Sequence, residues 1–91
     1  MALQAPVKSS LVAVGGTSDT IALSNYFNFS LTGTWVGTVV LERSFDNGLT
    51  WNTVDSFTSN IESVGQDPEG ALYRARCSAY TSGSANVRLG Q

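Results

Sequence analysis

Apolar residues in this chain recur at every second position in short runs, and glycine breaks the runs at intervals of about a dozen residues. A period of two is the mark of a strand with one buried face. The clearest run is 26–32, where Phe27, Phe29 and Leu31 alternate with Asn28, Ser30 and Thr32. Residues 71–80 set Tyr73, Ala75, Cys77 and Ala79 against Leu72, Arg74, Arg76 and Ser78. Residues 84–89 set Ala85, Val87 and Leu89 against Asn86 and Arg88. Two earlier strands are expected at 9–14, ending on Gly15-Gly16, and at 18–24, with Ile21 and Leu23 on one face. The longest candidate is 34–44. It carries Trp35, Val39 and Leu41 on one face and Val36, Val40 and Glu42 on the other, which suits a central strand or one at an interface.

Turn signals separate these runs. Asp46-Asn47-Gly48 reads as a hairpin turn leading to a return strand at 49–54. Asp67-Pro68-Glu69-Gly70 and Thr81-Ser82-Gly83 read as two more turns. Residues 55–66 fit least well. Phe57, Ile61 and Val64 have a helical spacing, but the Ser, Thr and Asn around them favour a loosely paired strand plus loop. The pattern predicts an all-β chain, an antiparallel β-sandwich or barrel-like domain of about seven strands. The 34–44/49–54 hairpin is expected at its centre. Residues 1–8 read as an N-terminal arm and 9–91 as one domain.

Composition narrows what such a domain can do. Charged residues make up 13% of the 91, about half the usual share, and Ser and Thr supply 21 residues of polar surface instead. Little charge then has to be desolvated when this surface meets another protein. The net charge is −2, and Arg74 with Arg76 is the only tight basic pair. No basic stripe is present to neutralise phosphates, so nucleic acid is not an expected partner. The plain reading of Arg74 and Arg76 is a solvated strand face. No apolar run approaches the ~18 residues of a membrane-spanning helix. The segment Met1-Ala2-Leu3-Gln4-Ala5-Pro6 lacks the basic head and apolar stretch of a signal peptide, so synthesis and folding in a cytoplasm are expected. One cysteine, Cys77, cannot form a disulfide within the chain, and its place among Tyr73, Ala75 and Ala79 suits a small buried hydrophobe.

Catalytic chemistry finds little to work with. The chain has no histidine, which removes Ser-His-Asp and Cys-His machinery. Zinc would have only Cys77 and carboxylates, and Gly15-Gly16 and Gly33/Gly37 lack the spacing of a phosphate loop. No cofactor and no enzymatic activity are expected. One motif is sharp. Ser44-Phe45-Asp46-Asn47-Gly48-Leu49-Thr50-Trp51 resembles the Asp-box, S-x-D-x-G-x-T-W, of sialidases and other β-propellers. The physical reading is a specified turn. Asp46 accepts backbone N–H groups across it, Gly48 supplies a left-handed conformation, Ser44 and Thr50 bond near the strand ends, and Trp51 packs beneath. A glycosidase is the remote functional reading. A propeller needs four or more blades of four strands, and Glu62, Asp67 and Glu69 show no matched spacing for a catalytic carboxylate pair. Trp35 or Trp51, if exposed, could instead stack on a sugar, which is the glycan-binding alternative.

Over about half its length the chain resembles small virion structural proteins of tailed bacteriophages. The resemblance lies in Phe27-Asn28-Phe29-Ser30-Leu31-Thr32-Gly33-Thr34-Trp35, in Val39-Val40-Leu41-Glu42-Arg43-Ser44-Phe45-Asp46-Asn47-Gly48, in the stretch from Tyr73 to Gly83, and in Arg88-Leu89-Gly90-Gln91. It implies a place on the virion, as a capsid decoration (cement) protein or a head, neck or tail accessory subunit. The implied partners are the major capsid protein or tail and neck proteins. A receptor-binding role on a tail or fibre is the alternative. Repeated copies are expected, with a closed trimer as the symmetry if the chain decorates a capsid. Leu3, Pro6 and Val7 of the arm and Val36 and Val40 of the two-faced strand are the candidate assembly contacts.

Overall fold

Six strands account for the alternating runs in the computed structural model, which describes residues 6–91. They are β1 (Val7–Leu11), β2 (Ile21–Thr32), β3 (Trp35–Ser44), β4 (Asn52–Phe57), β5 (Ile61–Gly83) and β6 (Ala85–Gly90). All pairings are antiparallel, and the order across the sheet is β1-β6-β2-β5-β3-β4. The domain is therefore all-β, one curled antiparallel sheet of six strands rather than about seven.

The curl comes from β5. Its first half pairs with β2, from Leu31↔Ile61 to Ile21↔Tyr73, and its second half pairs with β3, from Ser44↔Leu72 to Trp35↔Gly83. At the handover Gly70 takes φ +87°, a left-handed conformation that a side chain resists, and the β2 register shifts between Leu23 and Asn25. Both ends of β5 come back to the β2–β3 connection. Trp35 Nε1 donates to Asn60 Oδ1 at 2.7 Å, Asn60 Nδ2 donates to Gly33 O at 3.0 Å, and Ser84 N donates to Thr34 O at 3.0 Å. The connection from β1 to β2 covers the edge of β5 opposite β3: Gly15 N donates to Cys77 O and Cys77 N to Gly16 O, both at 2.8 Å.

The concave face holds the core. Phe27, Phe29 and Leu31, Val39 and Leu41, Tyr73, Ala75 and Cys77, and Ala85, Val87 and Leu89 are buried together. Burying each of the larger side chains is worth ~1.5–3 kcal/mol. Phe27 meets Tyr73 with ring centroids 4.7 Å apart, and Phe29 meets Phe57 at 5.3 Å. Phe27 lies across Gly65, where any Cβ would collide with its ring.

Several expectations change. Residues 21–24 of the first run and the run 26–32 are one strand, β2, with a bulge at Leu23/Asn25 that keeps the inward alternation on both sides, while 18–20 lie outside any strand. Residues 67–70 bend a continuous β5 rather than ending a strand, since β2 pairs beyond both sides of the bend. Residues 55–66 supply the end of β4 and the start of β5, with only 58–60 between. The 34–44/49–54 hairpin is not central. β4 begins at Asn52 and is an edge strand, and β5, which alone pairs with both β2 and β3, takes the middle. Ala79 is exposed, since a register shift between Thr38 and Val39 moves it off the inward alternation that Cys77 keeps.

Candidate functional site

The link from β3 to β4 is organised from within. Ser44, the last residue of β3, is buried, and its Oγ donates to Asp46 Oδ1 at 2.8 Å and accepts Gly48 N–H at 2.8 Å. Asp46 Oδ1 also accepts Thr50 N–H at 2.8 Å, and Oδ2 accepts the Thr50 hydroxyl. Asn47 and Gly48 both have positive φ, 62° and 90°, which short polar and glycine residues tolerate. Trp51 lies beneath, its ring against Gly48. The structure thus brings Ser44, Asp46, Gly48, Thr50 and Trp51 into one bonded turn. The Thr50 hydroxyl, the Thr50 N–H and the Ser44 hydroxyl, in that order, hold the Asp46 carboxyl down to about 2, although it lies in solvent.

Two of the three free positions of that turn carry apolar side chains that point outward. Phe45 is 65% exposed and Leu49 84% exposed. The Arg43 guanidinium carbon sits over the Phe45 ring, 4.8 Å from its centroid. Beside Phe45 lies a cleft of about 500 Å³, lined by Leu23, Ser24, Glu69, Leu72 and Gln91 among others. Gln91 Nε2 donates to Ser24 O and, at 3.3 Å, to Tyr26 O, which ties the end of the chain to its wall.

On the convex face behind the turn, Glu42 is buried under two arginines. Arg74 Nε donates to Oε1 at 2.9 Å and Arg76 Nε to Oε2 at 3.1 Å. Arg74 also stacks on Trp51, 4.2 Å from the ring centroid. The solvated strand face expected of Arg74 and Arg76 is instead a closed ion cluster, because Glu42 on β3 falls opposite Arg74 on β5 and beside Arg76.

A second polar group lies inside the curl. Asp67 is buried and accepts Tyr73 Oη–H at 2.8 Å and Gly70 N–H at 3.1 Å, with Arg43 Nη1 at 3.8 Å. Burial first, then the bond to Asp67, pushes the Tyr73 phenol up from its ordinary value, while Arg43 opposes the shift. Asp67 is thus a buried anchor of the β5 bend. Arg43 Nε is buried without a partner, alone in this among the described residues.

The other sequence candidates fall as follows. Val40 is buried beneath the convex polar cluster and outside the core, whereas Val36 is exposed. Val7 is half-buried, packs on the core and pairs with Leu89, while Lys8 pairs with Arg88, so both belong to β1. Pro6 is exposed, and Leu3 lies outside the described residues. Trp35 is half-buried on the core with its N–H engaged by Asn60, and one face of Trp51 is taken by Arg74. Cys77 is a buried free thiol. Among the described residues no group of three or more Cys, Asp or Glu is placed to hold a metal ion.

Comparison with family models, with curated proteins and with solved structures gives no match.

Phe45 and Leu49 are the residues that sequence reasoning missed. They occupy two of the three unspecified positions of the turn, whose third is Asn47. Two large apolar side chains placed there are signal enough that burial was not their purpose.

Proposed function

We propose that the chain is an assembly protein of a bacteriophage virion, a capsid decoration or head–tail accessory subunit that acts by protein–protein contact. The curled sheet serves as a sandwich-like scaffold, and the 44–51 turn is its docking element. The observation that carries this reading is the display of Phe45 and Leu49 in solvent on a turn braced by Asp46. A backbone already fixed beneath exposed apolar side chains removes the loop-ordering part of the cost of binding. Large apolar anchors beside a cleft are the usual centre of a binding interface.

The glycan-binding alternative draws less support, since both tryptophans are half-buried and engaged. Mass spectrometry of purified particles from the phage that carries this gene tests the proposal. The chain should be present, and a Phe45→Ser, Leu49→Ser double variant should be lost from particles while keeping the wild-type circular dichroism spectrum. Absence of the wild-type chain from particles overturns the reading, as does undiminished incorporation of the double variant.

A further inference from the structure

Every sheet of this kind has edges, and an edge with free N–H and C=O groups is a template for another strand. The edges here are treated unequally. β1 is preceded by Pro6 and carries Lys8, a residue type that discourages pairing. β4 is interrupted at Val54, which has no partner on β3, and the Asp55 carboxylate accepts Ser56 N–H at 2.8 Å. The second half of β5 pairs with β3 along one side, and on the other the 15–18 segment bonds it at 75–77.

The first half of β5 is different. Residues Ile61 to Gln66 pair with β2 in unbroken register on one side, and no described strand pairs with the other. β4 follows in the fold across a crevice of about 150 Å³, and its Cα atoms stay more than 8 Å from β5 over nearly all their length. The exposed edge contains no lysine, arginine or proline. At its middle stands Val64, 74% exposed on the convex face beside Asn28.

We infer that this edge pairs antiparallel with the same edge of a second copy of the chain, about a two-fold axis at Val64. The sequence of the edge selects both the partner and the register. Centred on Val64, each Val64 faces the other, each Glu62 faces the other copy's Gln66, and each Ser63 faces the other copy's Gly65. The centre is an apolar pair on the convex face, the flanks can form amide–carboxylate hydrogen bonds, and no like charges meet. Moving the axis to Ser63 sets each Glu62 against a valine. Moving it to Gly65 sets each Val64 against a glutamine. A shift of one residue between the strands turns inward side chains outward. The contact is isologous, so it closes at two copies. It differs from the three-fold closure that a capsid placement suggests. It deepens the proposed function by assigning one interface between copies, yet it stands without the virion. A solution dimer with no particle association would defeat only the virion reading, and a particle-bound monomer only this one.

The test uses the full chain. In Val64→Cys the two introduced thiols lie across the axis, where opposed Cα atoms are ~4.5–5.5 Å apart, within the range a disulfide spans. Val14→Cys, at a valine 67% exposed elsewhere on the surface, is the control. The native Cys77 is buried. Under mild oxidation Val64→Cys should convert to a covalent dimer at least about ten times faster than Val14→Cys. The wild-type chain should sediment as a dimer at millimolar concentration, and Val64→Lys, which opposes two ammonium groups at the axis, should weaken that dimer by at least ~10-fold. A monomeric wild-type chain, or equal rates for the two cysteine variants, overturns the inference. So does a dimer that Val64→Lys leaves intact while its circular dichroism spectrum matches the wild type.

Discussion

The 44–51 turn and the 67–73 bend of β5 each rest on an aspartate, and the two aspartates work in opposite surroundings. Asp46 is exposed and takes its bonds from Ser44 and Thr50, no more than four residues away. Asp67 is buried and joins its own bend to Tyr73 and, across strands, to Arg43 of β3. The first aspartate shapes a display, and the second holds the sheet at the point where β5 passes from β2 to β3. Water can replace the bonds of the first, whereas the Tyr73–Asp67 bond of the second is buried, so their loss should be felt on different scales.

The largest effect is expected at the bend. Asp67→Ala strands the Tyr73 hydroxyl and removes the counter-charge of Arg43, and should cost about 3 kcal/mol in urea unfolding. Tyr73→Phe, which leaves the ring in the core and removes the hydroxyl, should cost about 1–2 kcal/mol. The same bond sets an alkaline limit. The Tyr73 phenol is raised above its ordinary value of 10.0, so its contribution is complete below that pH and is lost as pH rises toward the folded value. A pH series of unfolding curves should show this loss in the wild type and not in Tyr73→Phe. A flat alkaline limb in the wild type would put the bond's role in doubt.

Glu42→Ala comes next. Its two arginines keep a quarter to a third of their side chains in water and can resolvate, so about 1 kcal/mol is expected. Trp51 fluorescence should shift as Arg74 leaves its ring.

The smallest change in global stability is expected at the turn. Asp46→Ala should leave the melting temperature almost unmoved while amide exchange at Thr50 and Gly48 accelerates. Acid should do the same. The Asp46 carboxyl is held down to about 2 from 3.8, so its bracing is present above the unfolded value and fades as pH falls from 4 toward 2. Amide exchange at those two positions, followed over that range, checks it. Equal exchange in wild type and Asp46→Ala would mean that the bonds do not brace the turn.

How much of this was legible in the sequence follows the same division. The turn could be read because its bonds are local, and each polar position is matched by one within four residues. The inward faces of β2, of β6 and of β5 from Tyr73 to Cys77 were legible from period two alone, as with Phe27, Phe29 and Leu31 or Val87 and Leu89. The bend was not. Asp67-Pro68-Glu69-Gly70 carries the chemistry of a turn, and only the pairing of β2 beyond both sides shows that the strand continues. The Glu42 cluster was hidden for a similar reason, since its partners on β5 are 32 and 34 residues distant. The position of β4 at the edge depends on the pairing order, which alternation does not encode.

A virion reconstruction tests the functional account most directly. It should show the domain in repeated copies, with Phe45 and Leu49 buried against a neighbouring virion protein and the turn unchanged in shape. A particle without the chain, or one in which the 44–51 turn faces solvent in every copy, would contradict it.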